Sequence, residues 1–471
     1  MRKSLPSLAV AFVLSGCMLG PDHVRPDSPL PAQFAHADAD GLQQGDVLAH
    51  YWEAFPDATL KALVADALAA NHDLRIAQAR LGETRASRRA ALSDLFPVVT
   101  ATGKRERSKR SPEEMPGAPA DQLRSDFYDV GFDASWEVSL FGRGMRGVQA
   151  QNAFRDAAIA NLWGTQVAVT AEVARNYFEL RGLQARREVV LKNAEGQKAA
   201  LDIARASAEA GRSSELDLQR AIAQYESTMA TVPRIDTAIT RTSYRIAVLT
   251  GRTPQALEER LAQADVLPAL PDLVPVGTPA DLLRRRPDIL AAERELAGRS
   301  AMIGYRLAEL FPRVYFLGGV GSSAGDIDDL GGGGTQRWRF APQLQWSAFD
   351  LPRVFANVGV ERARHEAAIA RYEQVVLQAL EDAEGSLRAY EQSAVARDHL
   401  ERAAAASAEA ARLARIRYEN GLTDFLAVLD ADRARLAAED ALIQAHTEAA
   451  TSLIAVFKAL GGGWDGPPET P

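Results

Sequence analysis

Tyr128-Asp129-Val130-Gly131-Phe132-Asp133-Ala134-Ser135-Trp136-Glu137-Val138 alternates apolar and polar residues throughout. Successive side chains of a strand point to opposite faces, so this stretch has one apolar and one polar face. A second stretch reads the same way. Trp338, Phe340, Pro342, Leu344 and Trp346 alternate with Arg337, Arg339, Ala341, Gln343 and Gln345. About ten residues is the length of a tilted strand crossing a bilayer. Tryptophan at both ends of the second stretch suits the two membrane interfaces. Partner strands, less regular in pattern, are expected near 98–108 and 313–323.

A spanning helix is not the way this chain meets a membrane. Its 471 residues are 47% hydrophobic and 25% charged, with a mean hydropathy of -0.17. The longest uninterrupted apolar run, Leu8 to Leu14, is far shorter than the roughly 20 residues a membrane helix needs. A net charge of -8 and a pI near 5.6 argue against a basic nucleic-acid binder. The single cysteine, Cys17, excludes an intrachain disulfide framework and a cysteine zinc site.

The two amphipathic strands belong to two copies of one unit. Asn71-His72-Asp73-Leu74 is echoed by Arg286-Pro287-Asp288-Ile289, and Leu95-Phe96-Pro97 by Leu310-Phe311-Pro312, both at an offset of 215. Ala210-Gly211 matches Asn420-Gly421, and Thr250-Gly251 matches Leu460-Gly461, both at 210. A near-constant offset marks a tandem duplication, and its drop places a shorter hairpin loop in the second copy. The expected organisation is repeat 1 over 56–266 and repeat 2 over 280–463. The proline-bearing linker 267–279 joins them, and 464–471 form a flexible tail. The hairpins are expected at about 97–139 and 312–348.

Each repeat also carries a very long helix. No proline occurs between Pro119 and Pro233 or between Pro352 and Pro467. Leu162, Val169, Val173, Leu180, Leu183, Val190 and Ala194 form one heptad-like stripe, and Ile369, Tyr372, Val376, Leu380, Ala383, Leu387, Tyr390 and Ala394 another. Helices are expected over 147–210 and 353–420, roughly 95 Å each at 1.5 Å per residue. Gly211 and Gly421 carry a C-cap signal, so each copy folds back there as a helical hairpin.

The N-terminus supplies an address. Arg2 and Lys3 precede an apolar region, Leu5 to Leu14, and then Leu14-Ser15-Gly16-Cys17. Small residues before a cleavage point suit a signal peptidase, and the tetrapeptide resembles the bacterial lipobox. That implies a lipoprotein signal peptide over 1–16 and covalent diacylglycerol and N-acyl lipid on Cys17. Met18 in the next position favours the outer membrane by analogy. Residues 17–55, with Pro21, Pro26, Pro29 and Pro31, read as an extended lipid-anchored tether.

Four strands make an open sheet with two edges, and unpaired backbone groups cannot sit in lipid. Closed barrels begin at eight strands, so several chains must share one. Two chains give eight strands, whose interior is filled by side chains, whereas three chains give twelve. A conducting pore therefore favours the trimer.

Cys17-Met18-Leu19-Gly20-Pro21-Asp22-His23, Trp52-Glu53-Ala54-Phe55, Asn71-His72-Asp73-Leu74, Trp136-Glu137-Val138-Ser139-Leu140-Phe141-Gly142 and Arg285-Arg286-Pro287-Asp288-Ile289 resemble the outer-membrane factor family. These are TolC-like efflux channels, and the motifs resemble the NodT-type lipoprotein branch serving resistance-nodulation-division systems. The resemblance runs from Cys17 to Gly463. It implies an α+β membrane protein: a homotrimer with a shared 12-stranded antiparallel β-barrel, four strands per chain, and a long periplasmic α-helical barrel. It also implies partners, namely a periplasmic adaptor (membrane fusion protein), an inner-membrane efflux pump and outer-membrane lipid, with no nucleic acid and no cofactor. By resemblance, Leu426 and Asp430 fall on the periplasmic gate, where three copies make an apolar ring and a carboxylate ring. Four residues apart on a helix they share a face, and a carboxylate ring favours cations. The alternative puts Leu426 in the helix seam and Asp430 on a solvated face. Gly211 and Arg212, with Gly421, Leu422 and Thr423, are the expected adaptor-contact tips.

Apparent catalytic motifs give way to context. Gly142-Arg143-Gly144-Met145-Arg146-Gly147 has the dinucleotide-binding spacing, but some 60 residues of helix follow where a second parallel strand is needed. Gly321-Ser322-Ser323-Ala324-Gly325 has the nucleophile-elbow spacing, but an Asp/Gly loop follows in place of a helix. The seven histidines show no metal-ligand spacing. Asp326, Asp328 and Asp329 read as a solvated loop, the alternative being a divalent-cation site. The basic run Lys104 to Arg110 reads as an exposed strand end or a contact for lipopolysaccharide phosphates. No enzyme is expected. The competing functions are a periplasmic adaptor and a lipid-anchored coiled-coil spacer without a pore. An adaptor carries one helical hairpin flanked by β-rich domains, which does not match the duplication.

Overall fold

The computed structural model describes residues 18–27, 29–36, 41–210, 214–262, 267–271 and 273–466. In chain order these residues form β1 (Leu42–Gln43), α1 (Ala58–Ala70), α2 (His72–Ser93), β2 (Val98–Lys109), β3 (Arg124–Val138) and α3 (Arg143–Glu209). Then come α4 (Glu215–Met229), α5 (Val232–Leu249), α6 (Glu258–Ala262), β4 (Val274–Pro275), α7 (Pro279–Arg285) and α8 (Pro287–Leu307). The chain ends with β5 (Arg313–Ala324), β6 (Gln336–Gln345), α9 (Leu351–Glu419) and α10 (Phe425–Ala459). Short 3-10 turns join some of them. No helix among the described residues is long and apolar enough to cross a membrane.

Two compact units emerge, and neither follows one sequence repeat. The first joins Arg80–Ile159 and Ala291–Tyr372 with the N-terminal stretch to Asp27. The second joins Ser28–Ala79, Ala160–Leu290 and Glu373–Pro471. Each draws on both repeats, because α3 and α9 are single helices of 67 and 69 residues that pass from one unit into the other.

The first unit holds a four-stranded antiparallel sheet in the order β2-β3-β5-β6. Gly131 faces Gly321, Phe132 faces Val320, and Val320 faces Trp338. β3 starts four residues before the alternation that announces it. Lys109 pairs with Arg124, and Phe127, an apolar residue on the polar face, masks the period there. Trp346 lies just beyond the end of β6.

The N-terminal segment is extended but not loose. In the first unit, Arg146 is buried and donates to the Leu19 carbonyl at 2.8 Å, the Gly20 carbonyl at 3.0 Å and Asp22 Oδ1 at 2.8 Å. Gly20 lies against Gly304 so closely that a Cβ on Gly20 would come within 2.5 Å of the Gly304 Cα. Arg25 donates to the Tyr372 hydroxyl at 3.1 Å. In the second unit, the Ala35 N–H donates to Glu384 at 3.0 Å, and β1 pairs in parallel with β4 inside the expected linker. Tyr51 stacks on Phe457, and Phe55 meets Phe178 edge-on, all four being buried. Proline restricts a chain to extended backbone without saying whether anything binds it, and here helix side chains do.

The core of the second unit follows the predicted stripes. Val169, Val173, Leu180, Val190 and Ala194 of α3 are buried, as are Val376, Ala383, Leu387 and Tyr390 along α9. Trp163 stacks on Trp464 with ring centroids 4.4 Å apart.

Candidate functional site

Two regions carry the expected functional residues: the tip of the last helical hairpin and the sheet.

The tip is built by capping. Gly421 ends α9 with φ 68°, a conformation costly for any residue with a Cβ. The Leu422 N–H donates to the Arg417 carbonyl at 2.8 Å, closing the helix end. Asp424 then opens α10 by accepting the Ala427 N–H at 3.0 Å. Leu422 stands 68% exposed, an apolar side chain presented to solvent between two caps. Thr423 beside it is half-buried. Gly211, Arg212 and Cys17 lie outside the described residues.

Helical geometry separates two faces at the start of α10. Phe425 and Leu429 pack with Leu201, Ala204 and Ala221 in one buried cluster, and Val428 is buried beside them. Leu426 is half-buried, while the Asp430 side chain is 62% exposed and 3.7 Å from Arg433 Nη1 on the same helix. Leu426 and Asp430 therefore share the face turned away from the seam, and Phe425 with Leu429 occupy the seam itself. Two groups beside them were not singled out from the sequence. Asp432 is buried, with Arg415 at 3.4 Å and Arg435 at 3.6 Å. Arg433 donates to the Gln224 side chain of α4. The i,i+3 spacing of Asp432 and Arg435 is visible in the chain, but the Arg415 contact arises only once the hairpin closes.

The sheet has chemically distinct faces. Directly opposed residues of an antiparallel ladder lie on the same side. Phe132, Trp136, Val320, Phe316, Trp338, Phe340 and Leu344 thus form one apolar face, with Phe316 centroids 6.2 Å from Trp136 and 6.0 Å from Phe340. It is exposed: Phe132 at 58% and Trp338 at 81%. The opposite face is polar and internally bonded. Asp129 accepts from Arg337 twice at 2.6 Å and from Ser323 at 2.6 Å, and Asp133 accepts from Thr102 at 3.1 Å. β2 and β6 are the open edges. At the helix end, the Trp136 indole donates to the Leu95 carbonyl at 2.9 Å, and Trp346 to Leu310 at 3.1 Å. Those bonds explain why Leu-Phe-Pro and the tryptophans recur together.

The glycine-rich and serine motifs have structural employment. Gly142 turns β3 into α3 with φ 74°, and a Cβ there would meet Met18 at 2.9 Å. A Cβ on Gly144 would strike the Leu95 side chain at 2.6 Å. Ser322 and Ser323 are the end of β5, bonded to Thr335 and Asp129. Asp326 accepts the Asp328 N–H as a turn cap.

Comparison with known proteins settles the family. The profile of the outer membrane efflux protein family matches residues 63–252 and 278–462. The chain belongs to that family. It is 33% identical to the probable efflux pump outer membrane protein TtgC of Pseudomonas putida, over 98% of this chain and 96% of that protein. It is 28% identical to nodulation protein T of Rhizobium leguminosarum bv. trifolii, over 97% and 96%. The solved outer-membrane channel OprN superposes with a TM-score of 0.90 at 40% identity, over 95% of this chain and all of that one. The TolC-like α+β fold and the outer-membrane location expected from the sequence follow. The family is one of channels, not of enzymes, and its members are the outer-membrane components of efflux pumps.

Proposed function

We propose that three copies of this chain form the exit duct of a tripartite efflux system. Each copy contributes β2, β3, β5 and β6 to a twelve-stranded barrel, with the face of Phe132 and Trp338 toward lipid and the face of Asp129 and Arg337 toward the lumen. The observation that carries this reading is the sheet: four strands of 10 to 15 residues with two open edges and one exposed apolar face. In a bilayer such edges must be paired, and only further copies supply the partners. Lipid on Cys17 fastens each copy to the membrane. The hairpin tips at Gly211–Arg212 and Gly421–Thr423 meet the periplasmic adaptor, through which an inner-membrane pump delivers small molecules. Leu426 and Asp430, on the face left free by the seam, line the resting constriction.

The test is the mass and conductance of the detergent-purified protein. A trimer that conducts ions in planar bilayers supports the proposal. A monomer that stays soluble without detergent, or a trimer that never conducts, overturns it and leaves the anchored spacer.

A further inference from the structure

The basic run Lys104–Arg110 is divided by the register of β2. Arg105 faces Tyr128, Arg107 faces Asp126 and Lys109 faces Arg124. These residues share the side of Val130, Phe132 and Trp136, the apolar face. Lys104, Glu106 and Ser108 point the other way, where Lys104 pairs with Glu106. The strand's alternation thus gathers Arg105, Arg107 and Lys109 into a column of cations on the lipid-facing side, spaced about 7 Å apart along the strand.

The column sits at a definite depth, if the barrel of the proposed function is accepted. Tyr128 and Trp136 are eight residues apart, about 27 Å along a strand and about 21 Å of depth at barrel tilt. That is close to the roughly 25 Å apolar band of such barrels. Arg107 and Lys109 lie two and four rows beyond Tyr128, on the side away from the start of α3. This is the headgroup layer of the leaflet opposite the helices.

Among the described residues the chain supplies one carboxylate to these four cations. Arg107 is 72% exposed with one carboxylate, Asp126, at 3.5 Å. The Arg105 guanidinium lies over the Tyr128 ring, 5.4 Å from its centroid. Lys109 and Arg124 are exposed and directly opposed, and neither has an ion-pair partner among the described residues. Like charges facing across a ladder destabilise it unless an anion lies between them. Guanidinium pairs with phosphate in a bidentate manner.

We propose that Arg105, Arg107, Lys109 and Arg124 bind the phosphate groups of an outer-leaflet lipid, whose acyl chains lie on Val130 and Phe132 below. Continuity between cations and apolar face selects a lipid over free phosphate, which has no use for the apolar half of the site.

The experiment is native mass spectrometry of the full-length detergent-solubilised assembly, incubated with bisphosphorylated lipid A, with its dephosphorylated form, or with inorganic phosphate as competitor. The comparison is the variant Arg107→Gln/Lys109→Gln/Arg124→Gln. Loss of three cations near an anionic headgroup weakens retention of bisphosphorylated lipid by on the order of a hundredfold. The wild type retains the dephosphorylated form far less, and equimolar phosphate does not displace the lipid. Equal retention by variant and wild type, or by the two lipid forms, overturns the site, and so does displacement by phosphate. Planar-bilayer conductance of the same samples separates the two levels. A variant that conducts normally yet keeps its lipid refutes only the lipid site, whereas wild type that never conducts refutes the barrel on which it rests.

Discussion

The side-chain amide of Asn71 donates to the carbonyl of Leu249 at 2.8 Å, tying the α1–α2 junction to the end of α5. Arg286, the residue equivalent to Asn71 in the second repeat, donates to the carbonyl of Ala459 at 3.0 Å, the equivalent of Leu249. The glycines after those helix ends are equivalent too. Gly251 lies against the Ala70 carbonyl and Gly461 against that of Arg285, both with positive φ. One joint is thus built twice with different chemistry. Asn71 also caps α2 by accepting the Asp73 and Leu74 N–H groups. Arg286 instead pairs with Asp288 at 2.6 Å and Asp382 at 3.0 Å. Its guanidinium is held charged by these carboxylates against the opposing pull of burial.

Removing either side chain leaves a buried helix-end carbonyl unpaired, which costs about 1–3 kcal/mol. Asn71→Ala and Arg286→Ala are expected to lower the midpoint of helix loss followed by circular dichroism. Arg286→Lys should recover little, because an ammonium is a point charge and cannot reach the carbonyl and both carboxylates together. Full recovery by lysine would show that only the charge matters.

The N-terminal strap offers a second test. A Cβ at position 304 would fall 2.3 Å from the Leu19 carbonyl and 2.9 Å from Arg146 Nε. Both are held by the bond between them, so Gly304→Ala must displace one. Arg146→Ala removes the donor altogether. Both variants are expected to be cut by protease within residues 18–27 several times faster than the wild type, with the rest of the chain resistant. Unchanged cleavage rates would mean that the Arg146 contacts do not hold the strap and that its other restraints, the Arg25–Tyr372 bond among them, suffice.

The strands and long helices were legible because period two and the heptad stripe are local signals, each written in one segment. Trp136 and Trp346 marked the sheet, and Tyr372 and Leu387 the seam. The strap was not legible. Arg146 reads as one more basic residue in a helix until Leu19, Gly20 and Asp22 are brought to it across more than a hundred positions. Asp432 was missed for the same reason: charged residues are normally solvated, and its burial depends on Arg415 arriving from the other arm of the hairpin. At the start of α10, the helical period is enough to separate two faces. Phe425, Val428 and Leu429 fill the seam, so Leu426 and Asp430 must face elsewhere.

Acid should weaken the second unit through His446. Burial, aided by Arg397, holds its pKa below the ordinary 6.5 against the pull of Glu401. The unfolded chain then binds a proton more readily than the folded one. The stability His446 allows is present above about pH 6.5 and declines as pH falls from there toward the folded value. Unfolding of the wild type by denaturant should therefore become easier between pH 7.5 and 5.5, and His446→Gln should flatten that slope. An equal slope in the variant would assign the acid sensitivity to other groups.

The gate prediction separates lining from packing. Asp430→Ala removes an exposed carboxylate that lies 3.7 Å from Arg433 on its own helix, and Leu426→Ala trims a half-buried side chain on the same face. Both are expected to raise single-channel conductance at rest in planar bilayers with little loss of stability. Leu429→Ala, one residue before Asp430, instead empties part of the cluster with Leu201 and Ala221, at a cost of about 2–5 kcal/mol. It should lower the unfolding midpoint. If conductance simply followed stability, Leu429→Ala would open the channel most. If Leu426 and Asp430 line the constriction, the two milder variants conduct more than the destabilised one. Resting currents at the wild-type level in both Asp430→Ala and Leu426→Ala would remove the constriction from this face of α10.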